Sequence, residues 1–263
     1  MTMMSLGKPI ALGRTAEIYA WEEGQVLKLF KDWFSADGVK YEAQIARAVH
    51  TSGLPVPAVG EVVEINGRLG LIYERVAGPS MFEYLLTKPW TFIREARVLA
   101  ELHADMHASN ILPELPSQRQ RLEDKIRSAA VLPPDLREAG LRSLSQMPDG
   151  NRLCHGDFHP GNILIAASGP IIIDWIDATH GNSLADVART WVILSEPGLS
   201  IPWAAKALRS RLLKIYLKRY FQLHPGDQGQ LTAWLPIVAA ARLNENIPEI
   251  QEWLLAQVKA GLS

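Results

Sequence analysis

Short runs of apolar and polar residues alternate over the first third of the chain. Ile18, Tyr19 and Ala20 lead into a turn at Glu22-Glu23-Gly24, and Val26-Leu27-Lys28-Leu29-Phe30 resumes beyond it. This pattern predicts a β-hairpin with Lys28 in its second strand. From Val39 to His50 the period lengthens, with Ile45, Ala48 and Val49 apolar and Glu42, Gln44 and Arg47 polar, which predicts a helix. Leu54-Pro55-Val56-Pro57 ends it. A second hairpin is predicted from Val59 to Ile65 and from Leu69 to Tyr73, because the Asn66-Gly67 pair between them is a strong two-residue turn signal.

After Gly78-Pro79 the helical period takes over, and Phe92, Ala96, Leu99, Ala100, His103 and Met106 fall on one face of a core helix. Residues 113–150 are rich in proline and charge and read as a loop carrying one or two helices. Short strands are predicted between Leu153 and Ile165 and at Ile171-Ile172-Ile173. From about Leu184 onward the pattern is helical, through Leu208, Leu212 and Ile215, then Trp234 to Leu243, then Ile250 to Val258. Trp175, Trp191, Trp203, Trp234 and Trp253 are expected to pack this helical part. No internal repeat is present.

Composition narrows the function. With 263 residues and 48% hydrophobic content, the chain can bury a full core. Its net charge of −1, with no block of like charges, argues against a nucleic-acid or anionic-membrane face and leaves a small molecule as the expected partner. A single cysteine, Cys154, excludes an internal disulfide framework and a cysteine-rich zinc site. The first ten residues lack a basic region followed by a long apolar stretch, and no run of 18 apolar residues occurs, so a cytoplasmic protein is expected.

The most informative polar residues lie in His155-Gly156-Asp157-Phe158-His159-Pro160-Gly161-Asn162, which sets an Asp and an Asn five positions apart in a predicted loop. Seventeen residues after Asp157, Ile171-Ile172-Ile173 runs into Asp174-Trp175. Phosphoryl transfer uses these residue types: one carboxylate to orient the attacking hydroxyl and take its proton, and an Asn oxygen with a second carboxylate to hold magnesium on the phosphates.

The run resembles the catalytic loop of small-molecule kinases, in which His-Gly-Asp stands where protein kinases have His-Arg-Asp. Ile-Asp-Trp resembles the Asp-Phe-Gly magnesium site. The chain is thus similar to the aminoglycoside phosphotransferase family and its choline and homoserine kinase relatives over about residues 10–195. The resemblance implies an α+β, two-lobed protein-kinase-like fold, with a nucleotide-binding lobe over residues 1–76 and a helical catalytic and acceptor-binding lobe over 77–263. It implies Asp157 as catalytic base, Asn162 and Asp174 as Mg2+ ligands, and ATP as the phosphoryl donor. Lys28 would grip the ATP phosphates and pair with Glu42. Glu74 and Val76, at the end of Leu71-Ile72-Tyr73-Glu74-Arg75-Val76, would offer backbone to adenine between the lobes. Gly13 is the only glycine in Leu-Gly-Arg-Thr-Ala-Glu-Ile-Tyr, where protein kinases carry three glycines over the phosphates. No Gly-x-x-x-x-Gly-Lys-[Ser/Thr] occurs. The implied reaction moves the γ-phosphoryl of ATP to a hydroxyl of a small polar molecule.

Other readings compete at single positions. A lysine in an edge strand can simply face water. His155-x-Asp157-x-His159 could belong to a metal-dependent hydrolase, and a non-catalytic nucleotide-binding module is a third class. His155 is expected to brace the loop rather than move protons. His103 and His107 stand four apart on a helix, but the sequence shows no third metal ligand near them, so they are expected to pack. Asp186 begins a helix, where an acidic residue suits the dipole, and the family match implies that it braces the catalytic loop. Cys154 is expected to be buried and inert. Glu245, Glu249 and Glu252 with Trp253 have the chemistry to hold a cationic acceptor, although charges of this kind commonly form a solvated helix face.

Overall fold

In a computed structural model of the chain, which describes residues 6–109, 115–197 and 203–262 (203–207 by backbone only), the early alternation becomes an antiparallel sheet. Its strands are β1 (Ala11–Leu12), β2 (Ala16–Ala20), β3 (Gln25–Phe30), β4 (Val59–Ile65) and β5 (Arg68–Glu74), in the order β1-β2-β3-β5-β4. Both predicted hairpins are present, and Asn66 and Gly67 both take positive φ, 51° and 80°, as their tight turn requires. β3 lies inside the sheet, with Lys28 opposite Ile18 on one side and Leu71 on the other. The edge-strand reading of Lys28 is therefore wrong.

The period of two sorts β3 between two layers. Leu27 and Leu29 face a cluster with Tyr19 and Ile65. Phe30 points the other way, to a core shared with Val39 and Ala43 of helix α1 (Ala36–His50) and with Leu71. Lys28 shares that α1-facing side. Glu42 follows from the same helix face, since Val39, Glu42, Ala43, Ala46 and Val49 are all buried. The sequence places Glu42 on the polar side of this helix. It is 1% exposed.

The chain divides into two compact units: one runs up to Tyr84 and includes Gly161–Ile176, and the other holds Leu85–Pro160 and everything from Asp177 on. The first unit thus takes in a hairpin distant in sequence, β7 (Ile163–Ala166) with β8 (Gly169–Ile172). Backbone bonds from Ile165 N–H to Pro79 C=O (2.9 Å) and from Ile172 N–H to Pro55 C=O (2.8 Å) fasten it. Gly78 makes the first approach possible, because a Cβ there would overlap the Ile165 carbonyl.

The second unit is mainly helical: α3 (Phe92–Ala108), α4 (Gln118–Ser128), α5 (Pro134–Gln146), α6 (Ser183–Ser195), α7 (Trp203–Leu223), α8 (Gln228–Arg242) and α9 (Pro248–Leu262). A two-stranded pair, β6 (Arg152–Cys154) with β9 (Thr179–Gly181), accompanies them. The short helix α2 (Met81–Thr87) spans the division between units. All six residues predicted to form the inner face of α3 are buried. The proline-rich region 113–150 resolves into α4 and α5, with residues 110–114 lying outside the described residues. Trp234 is buried within α8 and Trp191 and Trp253 are half-buried, whereas Trp175 belongs to the sheet-bearing unit; the Trp203 side chain lies outside the described residues. No described helix is long and apolar enough to cross a membrane.

Leu71 is completely buried at the centre of the α1-facing core. Leu71→Ala is expected to lower unfolding free energy by about 2–5 kcal/mol, read from the urea midpoint. An unchanged midpoint would contradict the assigned core.

Candidate active site

Lys28 anchors the polar group in the first unit. Its Nζ donates to Glu42 Oε1 at 2.7 Å and to Asp174 Oδ1 at 2.9 Å. The Tyr73 hydroxyl donates to the same Glu42 oxygen at 3.0 Å, while Glu42 Oε2 is buried without a hydrogen-bond partner. Burial alone would depress the Lys28 pKa, but the Asp174 and Glu42 carboxylates outweigh it and hold the ammonium above the usual lysine range. Burial pushes the Glu42 carboxyl up, and Lys28 pulls it only partly back.

Asp174 follows β8 in the left-handed region, φ 65°, a conformation that costs a non-glycine residue on the order of 1–3 kcal/mol. Its side chain is 43% exposed, and among the described residues Lys28 is its only hydrogen-bond partner. Asn162 stays close in the same unit because Ile173 N–H donates to its carbonyl at 3.0 Å. Asp174 and Asn162 carry a carboxylate and an amide oxygen, hard oxygen donors of the kind Mg2+ prefers.

Gly13 occupies the turn between β1 and β2, where its N–H donates to Ala16 C=O at 2.8 Å. Glu74 ends β5, and its carboxylate accepts from Ala58 N–H at 3.0 Å. Val76 lies just beyond, and among the described residues neither its N–H nor its C=O has a hydrogen-bond partner. Backbone in that state can bind a ligand edge.

Asp157 lies in the second unit, in the loop after β6. Arg189 of α6 donates to Asp157 Oδ1 at 3.1 Å and to Gly156 C=O at 3.0 Å, and His159 Nε2 is 3.5 Å from Asp157 Oδ2. Burial favours the neutral acid, yet His159 and Arg189 outweigh it and hold the Asp157 carboxyl far below the usual range. Gly156 is required here: its φ is +80°, and a Cβ would stand 2.5 Å from the Asp177 carbonyl oxygen.

The loop hangs on Asp186, the buried carboxylate at the start of α6. Its Oδ2 accepts from His155 N–H (2.7 Å) and its Oδ1 from Gly156 N–H (2.8 Å). His103 and His107 point Nε2 at the same Oδ2, at 3.1 and 3.3 Å. Their Nδ1 atoms meet the Tyr216 and Tyr220 hydroxyls of α7 at 2.6 and 2.7 Å. Asp186 is held well below the carboxylate range because the two histidines overcome its burial. An ionised carboxylate only accepts, so His103 Nε2 carries the hydrogen and Nδ1 accepts from Tyr216. Burial together with His107 pushes His103 down to about 3. The expectation that no third ligand lies near the two histidines is corrected by Asp186, which is close enough to share a cation with them. Each atom concerned already has a hydrogen-bond partner, so the group forms an anchor.

His155 is fully buried, and its Nδ1 accepts from Asp157 N–H at 3.2 Å, the bracing role expected of it. The His155-x-Asp157-x-His159 run does not form a three-ligand cluster among the described residues. Burial pushes the Cys154 thiol up, away from thiolate chemistry. Sequence reading missed Arg189, Tyr216, Tyr220 and Asp177. Arg189 is one turn after Asp186, and Tyr216/Tyr220 repeat the four-residue spacing of His103/His107, signals that could have pointed to them.

This sheet with its helix and its mainly helical second unit is the protein-kinase-like α+β fold. A thermostable aminoglycoside phosphotransferase APH(4)-Ia variant, solved with ADP and hygromycin B, matches with a TM-score of 0.70 at 16% identity over 97% of this chain and 92% of that one. Amicoumacin kinase, solved with AMP-PNP, Ca2+ and Ami, matches with a TM-score of 0.64 at 16% identity, covering 97% and 87%. A choline/ethanolamine kinase family protein from Mesorhizobium loti matches with 0.63 at 17%, covering 96% and 86%. No curated protein sequence matches the chain. A sequence model of the phosphotransferase enzyme family matches residues 7–229, and the chain belongs to that family. Its enzyme class is that of the small-molecule kinases.

The buried histidine gives the fold a pH dependence. Unfolded, His103 takes up a proton near pH 6.5, whereas folded it does so only near pH 3. Its depressed pKa therefore makes stability complete above pH 6.5 and progressively lost as the pH falls from about 6.5 toward 3, by up to about 1.4 kcal/mol per pH unit. Melting temperature should fall between pH 7 and 4.5, and less so in His103→Gln. A flat profile in the parent protein would contradict the network.

Proposed function

We propose that the chain transfers the γ-phosphoryl of ATP, with Mg2+, to a hydroxyl of a small polar molecule in the cytoplasm. The observation that carries this reading is the Lys28 ammonium held by Glu42 and Asp174 together, at 2.7 and 2.9 Å. A buried cation so fixed, beside a carboxylate that keeps an oxygen for another partner, is suited to phosphate and metal together. The ADP and AMP-PNP in the aminoglycoside phosphotransferase and the amicoumacin kinase support the choice of nucleotide.

In this reading Lys28 binds the α- and β-phosphates, with Glu42 and Tyr73 keeping the ammonium from swinging away. Val76 backbone, with Glu74 beside it, receives adenine, and the Gly13 turn covers the phosphates. Asn162 and Asp174 hold Mg2+, which when bound neutralises charge developing on the transferred group. Asp157 orients the acceptor hydroxyl and takes its proton. Its depressed pKa keeps it ionised at any working pH, and it acts through position more than basicity, as a loose transition state allows.

Asp157→Asn should reduce kcat by about 10²–10⁴-fold while AMP-PNP binding, followed by calorimetry, stays within twofold of the parent. Near-parental turnover would remove Asp157 from the role of base. Lys28→Ala and Glu42→Ala should each raise the KM for ATP and lower kcat. Full ATP turnover in both would remove this pair from the nucleotide site.

A further inference from the structure

The second unit contains a pocket beside the Asp157 loop, lined by Gly156 and by residues from α4, α6, α8 and the segment after it. Its charges follow one pattern. Arg121 and Lys125, one turn apart on α4, both face the Asp177 carboxylate, at 3.4 and 3.1 Å. Arg189 and Arg242 both face Glu245, the former at 2.5 Å and the latter at 3.1 Å. Each carboxylate open to the pocket is thus clamped by two cations. Asp186 also borders the pocket, but its oxygens are taken up by the loop and the histidines. From the sequence, Glu245, Glu249 and Glu252 are expected to form a solvated helix face, with a cation receptor as the alternative. In the fold Glu245 is 11% exposed and tied to two guanidinium groups, while the other two lie on the exposed face of α9.

An ammonium entering here would find Asp177 and Glu245 each already shared by two cations, and Asp186 held by the loop and the histidines. Arg189 and Arg242 are each also paired with a second carboxylate, Asp157 and Glu196, so a carboxylate or phosphate would meet chiefly Arg121 and Lys125, two cations that both face Asp177. Arg242 records the crowding: burial and the neighbouring Arg189 both push its pKa down. Arg189 also reaches Asp157, so the cationic wall is continuous with the proposed base.

We propose that the acceptor of this enzyme carries an anionic group, a carboxylate or a phosphate, which binds Arg121 and Lys125 while its hydroxyl meets Asp157. The proposal rests on the kinase reading above for the hydroxyl step only. In that step the acceptor oxygen forms a bond to the γ-phosphorus, the bond from that phosphorus to the ADP oxygen breaks, and the hydroxyl proton passes to Asp157. The anion-binding part stands on the pocket alone.

A matched three-carbon series isolates charge: glycerate, glycerol 3-phosphate, glycerol and 3-amino-1,2-propanediol, each tested for ADP release and, separately, for calorimetric binding to the full chain with AMP-PNP and Mg2+. The expected result is binding or turnover at least tenfold better for one of the anions than for the amine, with the preference lost in the double variant Arg121→Glu, Lys125→Glu. Preference for the amine, or an anion preference unchanged in that variant, would overturn the proposal. ADP release no greater than the water blank for every acceptor would count against the kinase reading. Calorimetry would then still decide the anion site: a glycerol 3-phosphate signal abolished in the variant upholds it, and absence of any signal in the parent rejects it.

Discussion

A single buried carboxylate sets the order of the helical unit. Removing an ion from water costs several kcal/mol even after relaxation, so a charge at the Asp186 position persists only if donors surround it. Four do: two backbone N–H groups of the Asp157 loop and two imidazoles of α3. The backbone donors belong to His155 and Gly156, so satisfying the charge also fixes the chain immediately before Asp157. The imidazoles are oriented in turn by two tyrosines of α7. Helices distant in sequence therefore share one electrostatic requirement, and the loop geometry follows from it.

The sheet-bearing unit is organised by the opposite sign of charge. Lys28 is drawn into a half-dry layer by the alternation that sends its neighbours Leu27 and Leu29 the other way, and it is tolerated there because Glu42 and Asp174 meet it. The strained φ of Asp174 is the local cost of turning its carboxylate toward the lysine. Segment 157–162 runs from one unit into the other and carries a proposed base and a proposed metal ligand within five residues.

The elements whose periodicity extends over many residues were legible in the sequence. Both hairpins and the buried face of α3 come directly from period and turn chemistry, and Asp157, Asn162 and Asp174 stand out because their spacing is local. Strands of two and three residues, such as β1 and β9, are too short to show a period. Glu42 was misassigned because a charged residue reads as a polar position until its partner is known. Asp177, Arg189, Tyr216 and Tyr220 acquire meaning only through residues from other segments, a relation that one sequence does not display. The inclusion of Gly161–Ile176 with the N-terminal sheet depends in the same way on backbone bonds to Pro55 and Pro79.

The central claim is that the phosphoryl group goes to an organic hydroxyl and not to water. Phosphorus NMR of the purified protein turning over ATP and Mg2+ with an acceptor panel tests it most directly. The account predicts a new phosphate-monoester resonance growing in step with ADP. Growth of inorganic phosphate alone, at the same rate with or without acceptor, would contradict it.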